Sequence, residues 1–311
     1  MYVVTGAGPV GWTIAEQLAQ QGSRVRVLTR SGSGPDDPLI ERHKVDVSDP
    51  AQLTQAFDGA TAVFHCIHGS AYRAKAWAAE LPVAEQVVMD AAVAAGAVVV
   101  FPESLYSYSE PDQTITETSP REAVGGKRGI RAALLKAREA HAADTVTVVA
   151  GDFFGPRARM AHAGERMVPL VLKGKPVQVL GNSRQPHSFT YVPDLAAAMI
   201  AAAQKPALWN SVLHAPTLPA LSMQELATAF ATAAGMPAPK LTVVPGWLLR
   251  SLGLFSTDMR ELAEMLYQFE RPFVMDSTAS QRRLGLEPTP LGEATAATVA
   301  WWRDQEPAAA L

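Results

Sequence analysis

Three glycines set out the first chemistry this chain could do. Thr5-Gly6-Ala7-Gly8-Pro9-Val10-Gly11 carries the spacing GxGxxG between a short apolar run, Tyr2-Val3-Val4, and an amphipathic helix. Gly6 permits a tight turn, Gly8 lets the backbone approach a pyrophosphate, and Gly11 lets the helix pack on the strand. The helix opening at Pro9 and Val10 offers unpaired N–H groups and the positive end of its dipole to the phosphates. In this strand–turn–helix setting the motif predicts a dinucleotide site rather than a merely structural turn. The second strand ends in Thr29-Arg30-Ser31, where an acidic residue would bind the ribose hydroxyls of NAD. A cation beside hydroxyls suits a 2′-phosphate, so NADP is the expected cofactor and NAD the alternative. The plainer reading of Arg30 is a solvated loop residue.

The elements that must position this turn follow from periodicity. Val10, Ile14 and Leu18 share a helix face, and Gly22 suits its end. Arg24 to Thr29 alternates charged and apolar residues, and Arg30 to Pro38 reads as a loop. Asp49-Pro50 reads as N-cap and first residue of a helix that buries Leu53 and Phe57 and stops at Gly59. Ala62 to Cys66 is a strand; Val83 to Ala95 is a helix stopped by Gly96; Val98 to Phe101 is a buried strand. An Ala-rich helix over 127–143 and a strand over Thr145 to Val149 follow. Repeated units of this kind imply an α/β fold, a doubly wound parallel Rossmann sheet. The second half is richer in proline, and Ser222 with Glu225 forms a capping box ahead of Leu226 and Phe230. The expected organisation is a dinucleotide domain over 1–155, with 186–215 returning to it. A smaller, interleaved substrate lobe takes 156–185 and 216–311.

Bulk composition narrows the function. The 311 residues are 48% apolar and 18% charged, ordinary for a globular enzyme. A net charge of −3 with no Lys/Arg block argues against nucleic acid. Cys66 stands alone, which leaves no internal disulfide, and no His or Cys spacing suggests a metal. The chain enters a strand at once, leaving no room for a signal peptide, and the stretch Ala91 to Phe101 is too short to span a bilayer. A small-molecule partner, no membrane and a reducing cytoplasm are expected.

In the order of its segments the chain resembles the extended short-chain dehydrogenase/reductase family, also called the NAD-dependent epimerase/dehydratase family. Val45-Asp46-Val47-Ser48-Asp49 looks like the family's acidic segment beside the adenine. Val63-Phe64-His65-Cys66 is similar to its fourth strand, whose end runs under the cofactor. Ser104 and Tyr108 match its Ser…Tyr pair, and Gly151-Asp152-Phe153-Phe154-Gly155-Pro156 its passage from nicotinamide to substrate lobe. Ser188 to Ala196 resembles its aromatic strand and following helix, and Arg283-Leu284-Gly285-Leu286 with Pro288 its C-terminal signature. The resemblance thus implies cofactor contacts at Asp46, Val47, His65, Cys66 and Phe153.

Three departures stand beside it. The turn TGAGPVG is one residue shorter than the family's TGxxGxxG. The family's proton relay is YxxxK, in which the Lys lowers the Tyr pKa. Counting from Ser104 places that motif between Ala123 and Arg131; with Lys127 as the lysine the tyrosine position is Ala123, and no register supplies a Tyr. Where nucleotide-sugar epimerases hold the diphosphate with an Arg, this chain has His187, with Arg184 the nearest substitute. Neutral His is a poorer phosphate clamp than a guanidinium, which disfavours a UDP-sugar.

The remaining catalytic candidates each carry a bland alternative. Lys127 either meets the nicotinamide ribose, or acts as an acid, or is an exposed lysine at a helix start. Tyr106 and Tyr108 lie at the mouth of the sheet and either could replace the lost phenol, or pack as an aromatic loop. Ser104 could orient a substrate oxygen or simply make a turn. Glu103, if desolvated, would hold a proton to donate. His65 and His68 read better as structural than catalytic, and Met259, Met265 and Met275 as lobe core. The leading function is NADP-dependent hydride transfer to or from a small organic carbonyl, alcohol or activated alkene. A dinucleotide-binding sensor is the alternative, favoured by the missing Tyr and opposed by a lobe that includes Trp247 and Trp301-Trp302. A flavin monooxygenase would want an acidic residue at Thr29-Arg30 and a Gly-Asp segment unlike Gly151-Asp152-Phe153-Phe154, and is set aside. The Ala-rich helices over 83–95 and 127–143 could pair in a homodimer.

Overall fold

Runs of β-branched residues become the strands of a parallel sheet, and the amphipathic runs between them become the helices that cover it. The computed structural model describes residues 1–305. The first half runs β1 (Tyr2–Thr5), α1 (Pro9–Gln20), β2 (Val25–Thr29), β3 (Ile40–Lys44), α2 (Pro50–Ala56), β4 (Ala62–His65), α3 (Ala74–Ala95), β5 (Val98–Ser104), α4 (Gly126–Ala140) and β6 (Thr145–Ala150). Next come β7 (Asp152–Phe154), α5 (Val168–Leu172), β8 (Val177–Leu180), β9 (Phe189–Tyr191), α6 (Val192–Ala203) and β10 (Ser211–His214). The chain closes with α7 (Met223–Ala234), β11 (Leu241–Val244), α8 (Gly246–Leu252), α9 (Thr257–Glu264), α10 (Tyr267–Glu270), α11 (Thr278–Leu284) and α12 (Leu291–Gln305).

The central sheet has seven parallel strands in the order β10-β6-β5-β4-β1-β2-β3, the doubly wound arrangement expected. Alternation along β5 shows why both faces are apolar. Val98 and Val100 join the cluster of Ile14, Leu18 and Met199 from α1 and α6, whereas Val99 and Phe101 join Leu53, Val88 and Met89 from α2 and α3. Helix ends follow their sequence signals. Asp49 accepts from the amides of Ala51 and Gln52, Gly96 adopts the left-handed conformation after α3, and Ser222 and Glu225 form both halves of the capping box on α7.

Two elements differ from expectation. β3 was not anticipated: four of its five residues are Glu41, Arg42, His43 and Lys44, a charged edge with no apolar alternation. Helix α3 starts at Ala74 rather than Val83, with Pro82 inside it. Its added turns bury Trp77 and Leu81, and that packing outweighs the hydrogen bond a mid-helix proline removes.

The lobe has its own core. α5, α7, α12 and the two-stranded pairing of β8 with β11 enclose Val171, Val177, Leu226, Phe230 and Trp302. The short parallel pair β7–β9 links it to the sheet: a Cβ on Gly151 would meet the Ser188 carbonyl oxygen at 2.3 Å, so only glycine fits that crossing. Among the described residues no helix is long and apolar enough to cross a membrane.

Candidate functional site

The site gathers at the C-terminal ends of the strands, beginning with the glycine turn between β1 and α1. Gly6 has φ +88°, and an added Cβ would press on Ile67 at 3.0 Å and on the Cys66 carbonyl oxygen at 3.1 Å. At Gly11 a Cβ would meet the Gly6 carbonyl oxygen at 2.0 Å, so that glycine closes helix on strand. Gly8 is different: no atom lies within 4 Å of where its side chain would be. The first and third glycines serve the fold, whereas the second leaves a cradle open to solvent. No side chain caps α1, and Pro9 occupies its first position, so the donors of Val10 and Gly11 stand at an uncapped helix start. Ala7, Cys66 and Phe153 each pack against the core cluster that holds Val10 and Ile14 of α1. His65 is buried, its Nδ1 2.8 Å from Thr5 Oγ1, and burial pushes its pKa down to about 3, so the ring is neutral. Burial likewise raises the Cys66 thiol.

The residues expected beside the adenosine lie past β2. Arg30 and Ser31 are exposed; Ser31 Oγ donates to Ser33 Oγ at 2.8 Å, and Arg30 makes no hydrogen bond or ion pair among the described residues. Asp46 accepts from the Ser48 amide and hydroxyl at 3.0 and 2.7 Å, which holds its carboxyl below the usual range, with a smaller contribution from Arg30. Half-buried Val47 follows it.

On the other side of the turn the candidates separate. Tyr108 is 1% exposed, packs with Leu105, Ile115 and Phe273, and meets His214 Nε2 at 2.7 Å, so its hydroxyl belongs to the core. Glu103 is an ion-pair partner, with Arg138 at 3.1 Å and Arg131 at 3.4 Å, and takes the Ser104 amide at 2.8 Å. Ser104 is half-buried at the head of the turn Leu105–Ser107. Lys127 is not an exposed lysine: its side chain is fully buried, and its Nζ donates to Glu261 Oε2 at 2.5 Å and Glu264 Oε2 at 2.8 Å. Gly125 and Gly126 have positive φ, so Ala123 lies ahead of α4 and not one helical turn below Lys127; the residue one turn from Lys127 on the helix is Arg131.

His187 is 2% exposed in a nest of Phe189, Phe269 and Phe273. Its Nε2 lies 3.0 Å from Asp152 Oδ2 and its Nδ1 3.0 Å from the Gln268 carbonyl oxygen. Both ring nitrogens are engaged, so His187 is not a free phosphate clamp. Burial works to raise the Asp152 carboxyl, yet His187 holds it below its ordinary value. Arg184 is exposed in the preceding loop. A separate lobe cavity of about 440 Å³ is lined by His162, Arg166, Gln178 and Met223. Sequence reasoning missed Tyr72, Asp152, Tyr267 and Gln268. Only Asp152 had a local signal, an acidic residue directly after the glycine that ends a buried strand.

The sequence profile of the NAD dependent epimerase/dehydratase family matches residues 2–211. An uncharacterized protein of Sinorhizobium fredii, y4nG, is 26% identical over 220 residues, 64% of this chain and 52% of that protein, so the chain spans about half the length of the curated relative it matches. A UDP-glucose 4-epimerase from Thermotoga maritima, solved with UDP-glucose, superposes with a TM-score of 0.77 at 17% identity over 98% of this chain and 99% of that one. A dTDP-glucose 4,6-dehydratase variant from Streptomyces venezuelae, solved with NAD, gives 0.75 at 18% identity over 98% and 97%. The likeness to both is one of fold. With its profile match covering more than half of its length, the chain belongs to the NAD dependent epimerase/dehydratase family.

Proposed function

We propose that this protein binds a nicotinamide dinucleotide, NADP ahead of NAD, and works as an oxidoreductase on a small organic carbonyl or alcohol. The observation that carries the reading is Gly8, whose missing side chain leaves open space at an uncapped helix start while its two sister glycines are hemmed in by neighbouring atoms. Those N–H groups suit a pyrophosphate, and Arg30 with Ser31 suits a 2′-phosphate. The bound nicotinamide would supply or accept hydride. The chain's part is positioning: Ser104 at the end of β5 orients a substrate oxygen, and Phe153, Cys66 and His65 form an apolar, uncharged floor. The dehydratase of similar fold solved with NAD supports the dinucleotide. A UDP-sugar is disfavoured because His187 is engaged and Arg184 lies outside. A cytoplasmic setting and pairing of two chains through α3 and α4 belong to the same reading.

A dinucleotide-binding sensor is the second reading, favoured by Lys127, whose ammonium is taken up by two carboxylates, and by a 123–131 window without tyrosine. Calorimetry tests the first claim. Wild type should bind NADPH, and Gly8→Val, whose Cβ meets no neighbour and whose φ of −72° is one any residue adopts, should fold normally yet lose about 10-fold or more in affinity. Equal affinity in the two proteins would remove the pyrophosphate from this turn.

A further inference from the structure

Beyond the strand ends, two phenols from different segments meet. Tyr106, two residues past Ser104, places its hydroxyl 3.1 Å from that of Tyr72, which comes from the segment after β4. Trp77 of α3 fixes both rings: it stacks on Tyr106 at 9° with centroids 6.4 Å apart and meets Tyr72 edge-on at 5.4 Å. Lys127 Nζ lies 4.9 Å from the centroid of the Tyr72 ring, so the clamped lysine holds the phenol through its face.

The lobe lowers α10 onto this pair. Gln268 is 1% exposed, its amide faces the Tyr106 hydroxyl without closing a well-formed hydrogen bond, and the buried Tyr267 hydroxyl has no partner among the described residues. An unsatisfied buried polar atom costs about 1–3 kcal/mol, so these neighbouring groups of α10, both within reach of Tyr106, call for a ligand that pairs with them. Asp152 lies within electrostatic reach of Tyr72, Tyr106 and Tyr267, and an anionic group here would be repelled. Tyr72 is 42% exposed, which gives the pair a route to water.

We propose that Tyr106 is the proton donor of this enzyme, that Tyr72 links it to solvent, and that Gln268 and Tyr267 grip a neutral, hydroxyl-bearing carbonyl substrate. The proposal rests on the hydride-transfer reading above. In the reducing direction, hydride from the reduced nicotinamide co-reactant bonds to the carbonyl carbon, and the C=O π pair moves onto oxygen. That oxygen takes the proton as the Tyr106 O–H bond breaks. The phenolate recovers a proton from the Tyr72 hydroxyl, and solvent returns one to Tyr72. The carbonyl is reduced by two electrons and the nicotinamide oxidised by two. Burial raises both phenols, so both stay protonated at neutral pH, and Tyr106 releases its proton only to the strongly basic alkoxide that hydride addition creates. Tyr108, bound to His214 in the core, has no part.

The test uses 2-hydroxycyclohexanone as probe with the full chain. Infrared difference spectra should show the bound carbonyl stretch moved to lower wavenumber in wild type and in Tyr108→Phe, and the shift lost in Tyr106→Phe. With NADPH present, Tyr106→Phe should lower kcat about 100-fold or more with its NADPH Kd unchanged. A Tyr106→Phe protein that keeps the carbonyl shift, or a wild type that shows none, overturns the proposal. A wild type that shifts the carbonyl but binds no NADPH in calorimetry overturns the hydride-transfer reading instead and leaves the recognition of the carbonyl standing.

Discussion

On the proposed reading Arg30 and Gly8 serve one ligand by different physics, and substitutions should separate them. Gly8 acts by absence, giving the pyrophosphate room. Arg30 acts by charge, in a field it shares with Asp46 and Glu80. Arg30→Ala should therefore weaken NADPH about 10-fold while leaving NADH nearly unchanged, as expected for one exposed charge-assisted contact. The gap should shrink as salt is added, because the arginine is exposed. Titration of both cofactors at two ionic strengths checks this, and equal losses for the two would detach Arg30 from the 2′-phosphate. Single residues were legible in the sequence where their partners are contiguous: Gly6, Gly8 and Gly11 lie in one turn. Tyr72, Tyr106, Asp152 and Gln268 come from four segments, and no spacing in the chain announces that they converge. Lys127 was legible by type, but its burial depends on Glu261 and Glu264, more than 130 positions away.

Among the elements, α3, α4 and β5 are tied by a charge cluster that periodicity does not reveal. Arg138 of α4 holds Glu85 of α3 through Nε at 2.7 Å and through its second nitrogen at 2.6 Å, and reaches Glu103 of β5 at 3.1 Å. Its guanidinium lies 4.1 Å from the Phe101 ring centroid. Burying such a group is costly, and removing one partner costs more than the pair contributes, because the remaining charge stays desolvated. Glu85→Ala should lower unfolding free energy by about 3 kcal/mol in urea titration. A loss under about 0.5 kcal/mol would mean the cluster is solvated. The strands and helices of the sheet were readable because burial on both faces leaves continuous β-branched runs. β3 was not, since its charged residues face water along an edge, and the first turns of α3 were hidden by Pro82.

For the molecule as a whole, the clamp on Lys127 joins α4 beside the sheet to α9 in the C-terminal part of the chain. Glu261 and Glu264 of α9 hold its ammonium, Glu264 also accepts the Lys127 amide at 2.7 Å, and Glu261 accepts the Ala74 amide at 3.1 Å. Burial works to raise the Glu261 carboxyl, but the bonds to Lys127 and Ala74 hold it below its ordinary value of 4.5. A lowered carboxylate stabilises the folded state fully above its unfolded pKa and loses that contribution as pH falls through the folded one. Hydrogen exchange should therefore find α9 amides as protected at pH ~6 as at pH ~7. Below about pH 4 they should lose protection ahead of β5. Simultaneous loss in both would mean the lobe has no separate hold on the sheet.

The charged edge at β3 has a last consequence. A parallel sheet must end somewhere, and its final strand shows unpaired amides and carbonyls to any passing chain. Glu41, Arg42 and Lys44, with His43 between the two cations, surround that border with charge, so a second molecule cannot lay a strand along it without desolvating several ions. Such a border disfavours edge-to-edge growth at that side of the sheet, which gives the charges a place in the sequence independent of anything the protein binds.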